Sequence, residues 1–63
     1  MFRKEHIEAL FDEVKRDYGG KAEFEQLNRD AHLAIAQFDA DHSLSKSIDS
    51  RVVALIEKHK PEE

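Results

Sequence analysis

The sequence contains no cysteine or tryptophan, only one proline and two glycines, and no long apolar run. Without cysteine, neither a disulfide nor a thiolate site can form. The apolar runs fall far short of the ~18 residues of a membrane span, so we expect none. The amino end turns amphipathic and acidic after Lys4, unlike a signal peptide, and the expected location is therefore cytoplasmic.

Size and charge narrow the class of protein further. The chain has 63 residues, 38% of them charged and 40% hydrophobic, which is typical of a water-soluble helical protein rather than a disordered one. We therefore expect a single domain over 1–63. The net charge of −4 opposes non-specific binding to nucleic acid or anionic lipid. A core this small rarely supplies more than ~3–5 kcal/mol, so a partner is a plausible source of further stability.

A central helix is predicted over 21–40. Its apolar residues recur at the i, i+3, i+4, i+7 spacing of a helix that buries one face. They are Phe24, Leu27, Ala31, Ala34, Ile35 and Phe38.

A first helix is predicted over 3–18, with one apolar face formed by Ile7, Leu10, Phe11, Val14 and Tyr18. Phe2 lies off this face, so it is frayed, folded over an end, or part of a contact. The Gly19-Gly20 pair ends the helix, and so short a connection predicts an antiparallel hairpin. We expect Gly19 at positive φ, and the other glycine as the N-cap of the next helix.

A third helix is predicted over 44–60, with Ser43 or Ser45 as its N-cap, because the Asp- and Ser-rich segment 39–47 favours turns. The apolar spacing also continues in phase from the central helix, so one long helix over 21–60 is an alternative. We favour the break, and hence an all-α three-helix bundle: an antiparallel hairpin plus a third helix, expected to self-associate. The deepest core positions should be Phe11, Phe24, Leu27, Phe38, Ile48 and Leu55.

No pattern in the sequence indicates a catalytic, cofactor or metal site. No two of the four histidines are three or four residues apart, so no helical turn offers a pair of metal ligands. The segment 45–49 resembles the serine-to-aspartate spacing of a short motif in a family of small helical aspartyl-phosphate phosphatases. That match covers five residues and would lie on the third helix instead of after the first turn. We therefore predict that the protein is not an enzyme.

A second, thinner apolar stripe lies opposite the first on the central helix, and it predicts a partner-binding surface. Leu33 has Ala36 and Ala40 at i+3 and i+7, with Arg29 and Gln37 as a polar rim. The predicted function is that of a small regulatory or adaptor protein that binds another protein, an inhibitor being one form, and that forms a homodimer.

Two alternatives to this function remain open. One is a nucleic-acid-binding transcriptional regulator whose basic residues form one patch only after dimerisation; they are Lys46, Arg51, Lys58 and Lys60. The other is a small metal-dependent or phosphatase-type enzyme.

Overall fold

In a computed structural model, which describes residues 1–41 and 43–61, the chain folds into three α-helices around one core. Helix α1 spans Lys4–Tyr18, α2 spans Phe24–Asp41 and α3 spans Ser50–His59. Each helix packs against the other two. No strand occurs in the described ranges. The predicted all-α three-helix class is confirmed.

Helices α1 and α2 form the predicted antiparallel hairpin. The ring of Phe2, just before α1, lies 5.0 Å from the ring of Phe38, near the end of α2. Midway along both helices, the rings of Phe11 and His32 are 4.4 Å apart. Because the start of one helix meets the end of the other, the two run in opposite directions.

Helix α3 is antiparallel to α1. Arg51, at the start of α3, lies 5.7 Å from the ring of Tyr18 at the end of α1. At the other end of α3, Lys58 and His59 both contact Glu13 of α1. The chain must therefore return along α2 before α3 begins.

The loop that makes this return is held to α2 by side-chain hydrogen bonds. The backbone N–H of Ser45 donates to Oε1 of Gln37 over 2.8 Å. The backbone N–H of Asp49 donates to Oδ2 of Asp30 over 3.1 Å. Successive loop positions are thereby fixed beside successively earlier turns of α2.

The start predicted for the third helix was wrong by six residues. Helix α3 begins at Ser50, and its N-cap is Asp49, whose Oδ1 accepts the backbone N–H of Arg51 over 2.8 Å. Ser45 does not cap a helix, because its hydroxyl accepts the backbone N–H of Ser47 in a local turn. The break between the second and third helices is confirmed, and the single long helix is excluded.

The connection between α1 and α2 is also longer than predicted. Helix α2 begins at Phe24 instead of residue 21, so neither glycine is its N-cap. The residue at positive φ is Gly20, at 86°, whereas Gly19 has a φ of −59°. The prediction for Gly19 was therefore wrong. Position 19 favours glycine for a steric reason instead, because a Cβ there would collide with the carbonyl oxygen of Lys15.

The core lies where α1, α2 and α3 face one another. The most deeply buried side chains are Leu10, Val14, Leu27, Ala31, Ala34, Val52 and Ile56, each at most 1% exposed, with Phe2, Ile35 and Ile48 close behind. Of the predicted core positions, Leu27 and Ile48 are confirmed.

The prediction that four other residues are among the deepest was wrong. They are only half-buried and pack around the core: Phe11, Phe24, Phe38 and Leu55. Fully buried positions of α2 are instead occupied by the small residues Ala31 and Ala34, whose methyl groups need less space than aromatic rings. The rings of Phe11, Phe24 and Phe38 lie at the edge of the core, whereas the ring of Phe2 is within it.

Phe2 is folded over the end of the hairpin, which settles the question that its sequence position left open. Its side chain is 5% exposed, and its backbone N–H donates to Oδ1 of Asp39 over 2.9 Å. The ring also meets that of His6 edge-on. The segment before α1 is thus part of the packed structure.

We predict that Gly20→Val lowers the free energy of unfolding by about 1–2 kcal/mol, because an L-residue resists positive φ. Gly20→Asn should cost less, since asparagine enters that region more readily. Thermal melts of both variants test this. If the melting curve of Gly20→Val overlays that of the parent, the left-handed conformation of residue 20 is contradicted.

We predict that Leu27→Ala lowers the free energy of unfolding by about 2–5 kcal/mol, because it leaves a cavity between the helices. Leu33→Ala, on the opposite face of α2, is the matched control and should change stability by no more than about 0.5 kcal/mol at low protein concentration. Urea unfolding measures both. Equal losses in the two variants would contradict the assignment of the buried face.

Candidate functional site

The outward surface of α2 carries the predicted partner-binding residues. The side chain of Leu33 is 47% exposed, and in the described part of the chain only Met1 is another exposed large hydrophobic residue. Leu27 and Ala31 on the same helix are almost fully buried. Helix α2 therefore uses one face for the core and presents the other to solvent.

Five exposed residues of α2 form this surface, which we call the Leu33 face. Their spacing of three, four and seven residues places them in one stripe along the helix. They are Gln26, Arg29, Leu33, Ala36 and Ala40. Gln26 is not among the predicted partner-binding residues. It lies seven residues before Leu33 and therefore on the same side of the helix, so the spacing alone could have identified it.

Gln37 was predicted as part of the polar rim, and the structure gives it an intramolecular role. Its side chain is half-buried, and its Oε1 accepts the N–H of Ser45. Gln37 thus holds the returning loop at one border of the Leu33 face. That Gln37 also contacts a partner stays a prediction. The binding of a partner to the Leu33 face also stays a prediction.

The carboxyl end of α2 is electrostatically unusual within this molecule. The last turns of α1 and α3 contain basic residues, Lys15 and Arg16 in α1 and Lys58 and His59 in α3. The last turn of α2 has none and carries Asp39 and Asp41. The carboxyl end of a helix bears partial negative charge, and here the N-terminal ammonium of Met1 supplies a cation, 3.9 Å from Oδ1 of Asp39.

A group of three polar side chains joins the end of α3 to α1. Oε1 of Glu13 lies 3.0 Å from Nζ of Lys58 and 3.0 Å from Nε2 of His59. The hydrogen bonds from His59 and then Lys58 hold the pKa of Glu13 below its ordinary value. Glu13 and His59 are both largely buried, so this group joins α1 to α3.

A second polar group forms around the start of α3. Both carboxylate oxygens of Asp49 accept hydrogen bonds from the guanidinium of Arg51, over 3.0 Å each. The Arg51 hydrogen bonds lower the pKa of Asp49, and the Asp49 carboxylate raises the pKa of Arg51. Arg51 and Lys21 also lie against the ring of Tyr18. These contacts join the hairpin turn to α3.

The described histidines also have structural contacts, one within a helix end and two between helices. His6 Nδ1 accepts the backbone N–H of Arg3 over 3.2 Å, His32 stacks on Phe11, and His59 meets Glu13. His42 lies outside the described residues. Within residues 1–41 and 43–61, no three His, Asp or Glu side chains are grouped as metal ligands.

The segment that resembles a phosphatase motif is not on a helix, contrary to the prediction. Residues 45–49 belong to the loop before α3. The hydroxyls of Ser45 and Ser47 are 2.9 Å apart, and Asp49 caps α3. Each of these side chains has a role in the turn.

Comparison of the chain with protein-family models, with curated proteins and with solved structures gives no match. Among the described helices, none combines the length and the apolar composition that crossing a membrane requires.

We predict that Glu13→Gln lowers the free energy of unfolding at pH 7 by at most about 1 kcal/mol, because it removes a charged acceptor shared by two donors. The pKa of Glu13 is lowered on folding, so its contribution is complete above the unfolded pKa of about 4.5 and is lost as the pH falls through the folded value. The difference between parent and variant should therefore vanish near pH 2.

Denaturant unfolding at both pH values measures this difference. The matched control is Glu57→Gln, because Glu57 meets Lys60 at 3.2 Å on the exposed surface of α3. At pH 7, Glu57→Gln should lower the free energy of unfolding by less than Glu13→Gln does. A Glu13→Gln difference that persists unchanged at pH 2 would contradict the role of the carboxylate.

Proposed function

We propose that the protein is a small non-catalytic regulatory or adaptor protein that binds another protein chain through the Leu33 face. An inhibitor that covers a surface of its partner is one form of this function. The observation that carries the proposal is the 47% exposure of Leu33 in the middle of an 18-residue helix. Such a role fits the cytoplasmic location that the sequence predicts.

A single exposed leucine is ordinary, so the surroundings of Leu33 matter. Ala36 and Ala40 extend the apolar surface along the helix and are small enough for a second helix to approach closely. Arg29 and Gln26 add hydrogen-bonding groups at its amino-terminal half. An apolar centre with a polar rim is the composition that protein interfaces favour.

The nucleic-acid alternative has less support. Arg51 pairs with Asp49, Lys58 with Glu13 and Lys60 with Glu57. Each of these cations is already beside a carboxylate, and the net charge of the chain is −4. Binding to phosphates would have to compete with these pairs and with the overall repulsion.

We predict that Leu33→Asp abolishes capture of the partner while leaving the fold intact, because it places a charge at the centre of an apolar contact. The tagged protein is expressed in its native host, and co-purifying chains are identified by mass spectrometry. The matched control is Ala54→Asp, which adds the same charge at an exposed position of α3.

The parent and Ala54→Asp should capture the same protein, and Leu33→Asp should not. Circular dichroism should show equal helicity in all three. If Leu33→Asp captures the partner as well as the parent does, the Leu33 face is not the binding surface.

A further inference from the structure

We propose that the segment 1–3, which we call the strap, opens more often in mildly acidic solution because His6 gains a proton. With neutral His6 the strap is closed over the end of the hairpin. Protonated His6 can no longer hold the strap in place. This inference does not depend on the proposed function, since it concerns the fold of this chain alone.

The strap completes the core at the end of the hairpin that α3 does not reach. Helix α3 has 10 residues, about 15 Å, whereas α2 has 18, about 27 Å. His59, the last residue of α3, lies beside Glu13, so the first turns of α1 extend beyond the end of α3. At that end Phe2 is buried, with its ring 5.0 Å from the ring of Phe38.

Two successive backbone N–H groups hold the strap to two different helices. The N–H of Phe2 donates to Oδ1 of Asp39 on α2 over 2.9 Å. The N–H of Arg3 donates to Nδ1 of His6 in the first turn of α1 over 3.2 Å. Because these two groups lie on either side of the Cα of Phe2, together they fix the direction in which its ring enters the core.

The bond to His6 exists only while the imidazole is neutral. A ring nitrogen accepts a hydrogen bond when it carries no proton, and in the imidazolium both nitrogens are donors. Histidine is the side chain that changes charge between pH 5 and 8. At this third position of a helix, the residue that accepts the N-cap N–H is usually Glu or Gln, which remain acceptors over that range.

Protonation of His6 has a second unfavourable effect. The first turn of a helix bears partial positive charge, so a cation is disfavoured there. A proton on His6 therefore removes one anchor of the strap and places a positive charge next to the amino end of α1. Both effects act in the same direction, toward opening.

The charged group of α2 that contacts the strap is Asp39, among the residues that the structure describes. Its Oδ1 accepts the N–H of Phe2 and lies 3.9 Å from the ammonium of Met1. A positive charge on His6 would therefore face a carboxylate that already has a cation beside it.

The charged groups that α3 brings to the same side of α1 are cationic. Glu13 lies seven residues after His6, on the same side of the helix, and it meets Lys58 and His59. Ala9 and Leu10, three and four residues after His6, carry no charge. His59 is itself an imidazole, so an experiment has to distinguish its titration from that of His6.

The expected response is graded, because only one of the anchors of the strap changes. Loss of one hydrogen bond between neutral groups shifts an equilibrium about fivefold. Burial of the Phe2 ring is not affected by the proton and keeps most molecules closed.

Fluorine NMR with a soluble relaxation agent tests the opening. The chain contains four phenylalanines, so 4-fluorophenylalanine gives four signals, and Phe2→Leu identifies the signal of Phe2. A neutral gadolinium chelate in solution increases the relaxation rate of each fluorine according to its exposure. From pH 7.5 to 5.5, this increase should grow by up to about fivefold at Phe2 and stay constant at Phe24.

Two substitutions of His6 remove the titration and keep the acceptor. Glutamine and glutamate are the usual residues at this position of a capping box. In His6→Gln and in His6→Glu, the relaxation of Phe2 should therefore be the same at both pH values. The matched controls are His32→Gln and His59→Gln, because these imidazoles contact Phe11 and Glu13 instead of the strap. Both controls should keep the response of the parent.

The strap is not controlled by His6 if the parent shows no change at Phe2, or if the two His6 variants respond as the parent does. Loss of the response in His59→Gln would likewise overturn the proposal, because it would assign the titration to α3. Circular dichroism should show equal helicity of the parent at both pH values. A parent that loses helicity at pH 5.5 also contradicts the proposal, since the opening would then be global unfolding.

Discussion

The burial of Ala31 and Ala34 on one face of α2 is the constraint on which the rest of the fold depends. Both alanines are fully buried, and α2 contacts both other helices. Larger side chains from all three helices fill the core around them: Leu27 of α2, Leu10 and Val14 of α1, and Val52 and Ile56 of α3. The rings of Phe11, Phe24 and Phe38 form a half-buried border, whereas the ring of Phe2 is buried.

One face of α2 is packed into the core, and in the part of the chain that the structure describes the opposite face is exposed to solvent. The α1 side of α2 is covered where His32 stacks on Phe11, and the α3 side is covered where Asp30 and Gln37 bind the returning loop. The Leu33 face is what remains between these two borders. Its exposure thus follows from the arrangement of the three helices around α2.

The sequence predicts the helices and the exposed stripe, because both follow from local spacing. It predicts Leu27 as core and Leu33 as surface correctly, since they lie on opposite sides of one helix. The start of α3 was missed because Ser45 and Asp49 are both good N-caps, and the choice depends on the tertiary bond from Asp49 to Asp30.

Contacts between residues distant in the sequence could not be predicted either, because they depend on the tertiary structure. The burial of Phe2 and the contact of Glu13 with His59 both join separate helices. Gly19 and Gly20 were correctly placed in a turn. Gly20 takes the positive φ, whereas Gly19 donates its N–H to the carbonyl oxygen of Lys15, and residue spacing does not distinguish these two roles.

The contact between Glu13 and Lys58 closes a loop of 45 residues in a chain without covalent cross-links. Closing a loop of that length costs about 3 kcal/mol of chain entropy, plus a constant. An exposed ion pair contributes at most about 1 kcal/mol, so it cannot hold the loop closed. Burial of Val52 and Ile56, at about 1.5–3 kcal/mol each, is large enough to do so. The ion pair thus fixes the register of α3 on α1. The burial of Val52 and Ile56 supplies the stability that a disulfide provides in other small domains.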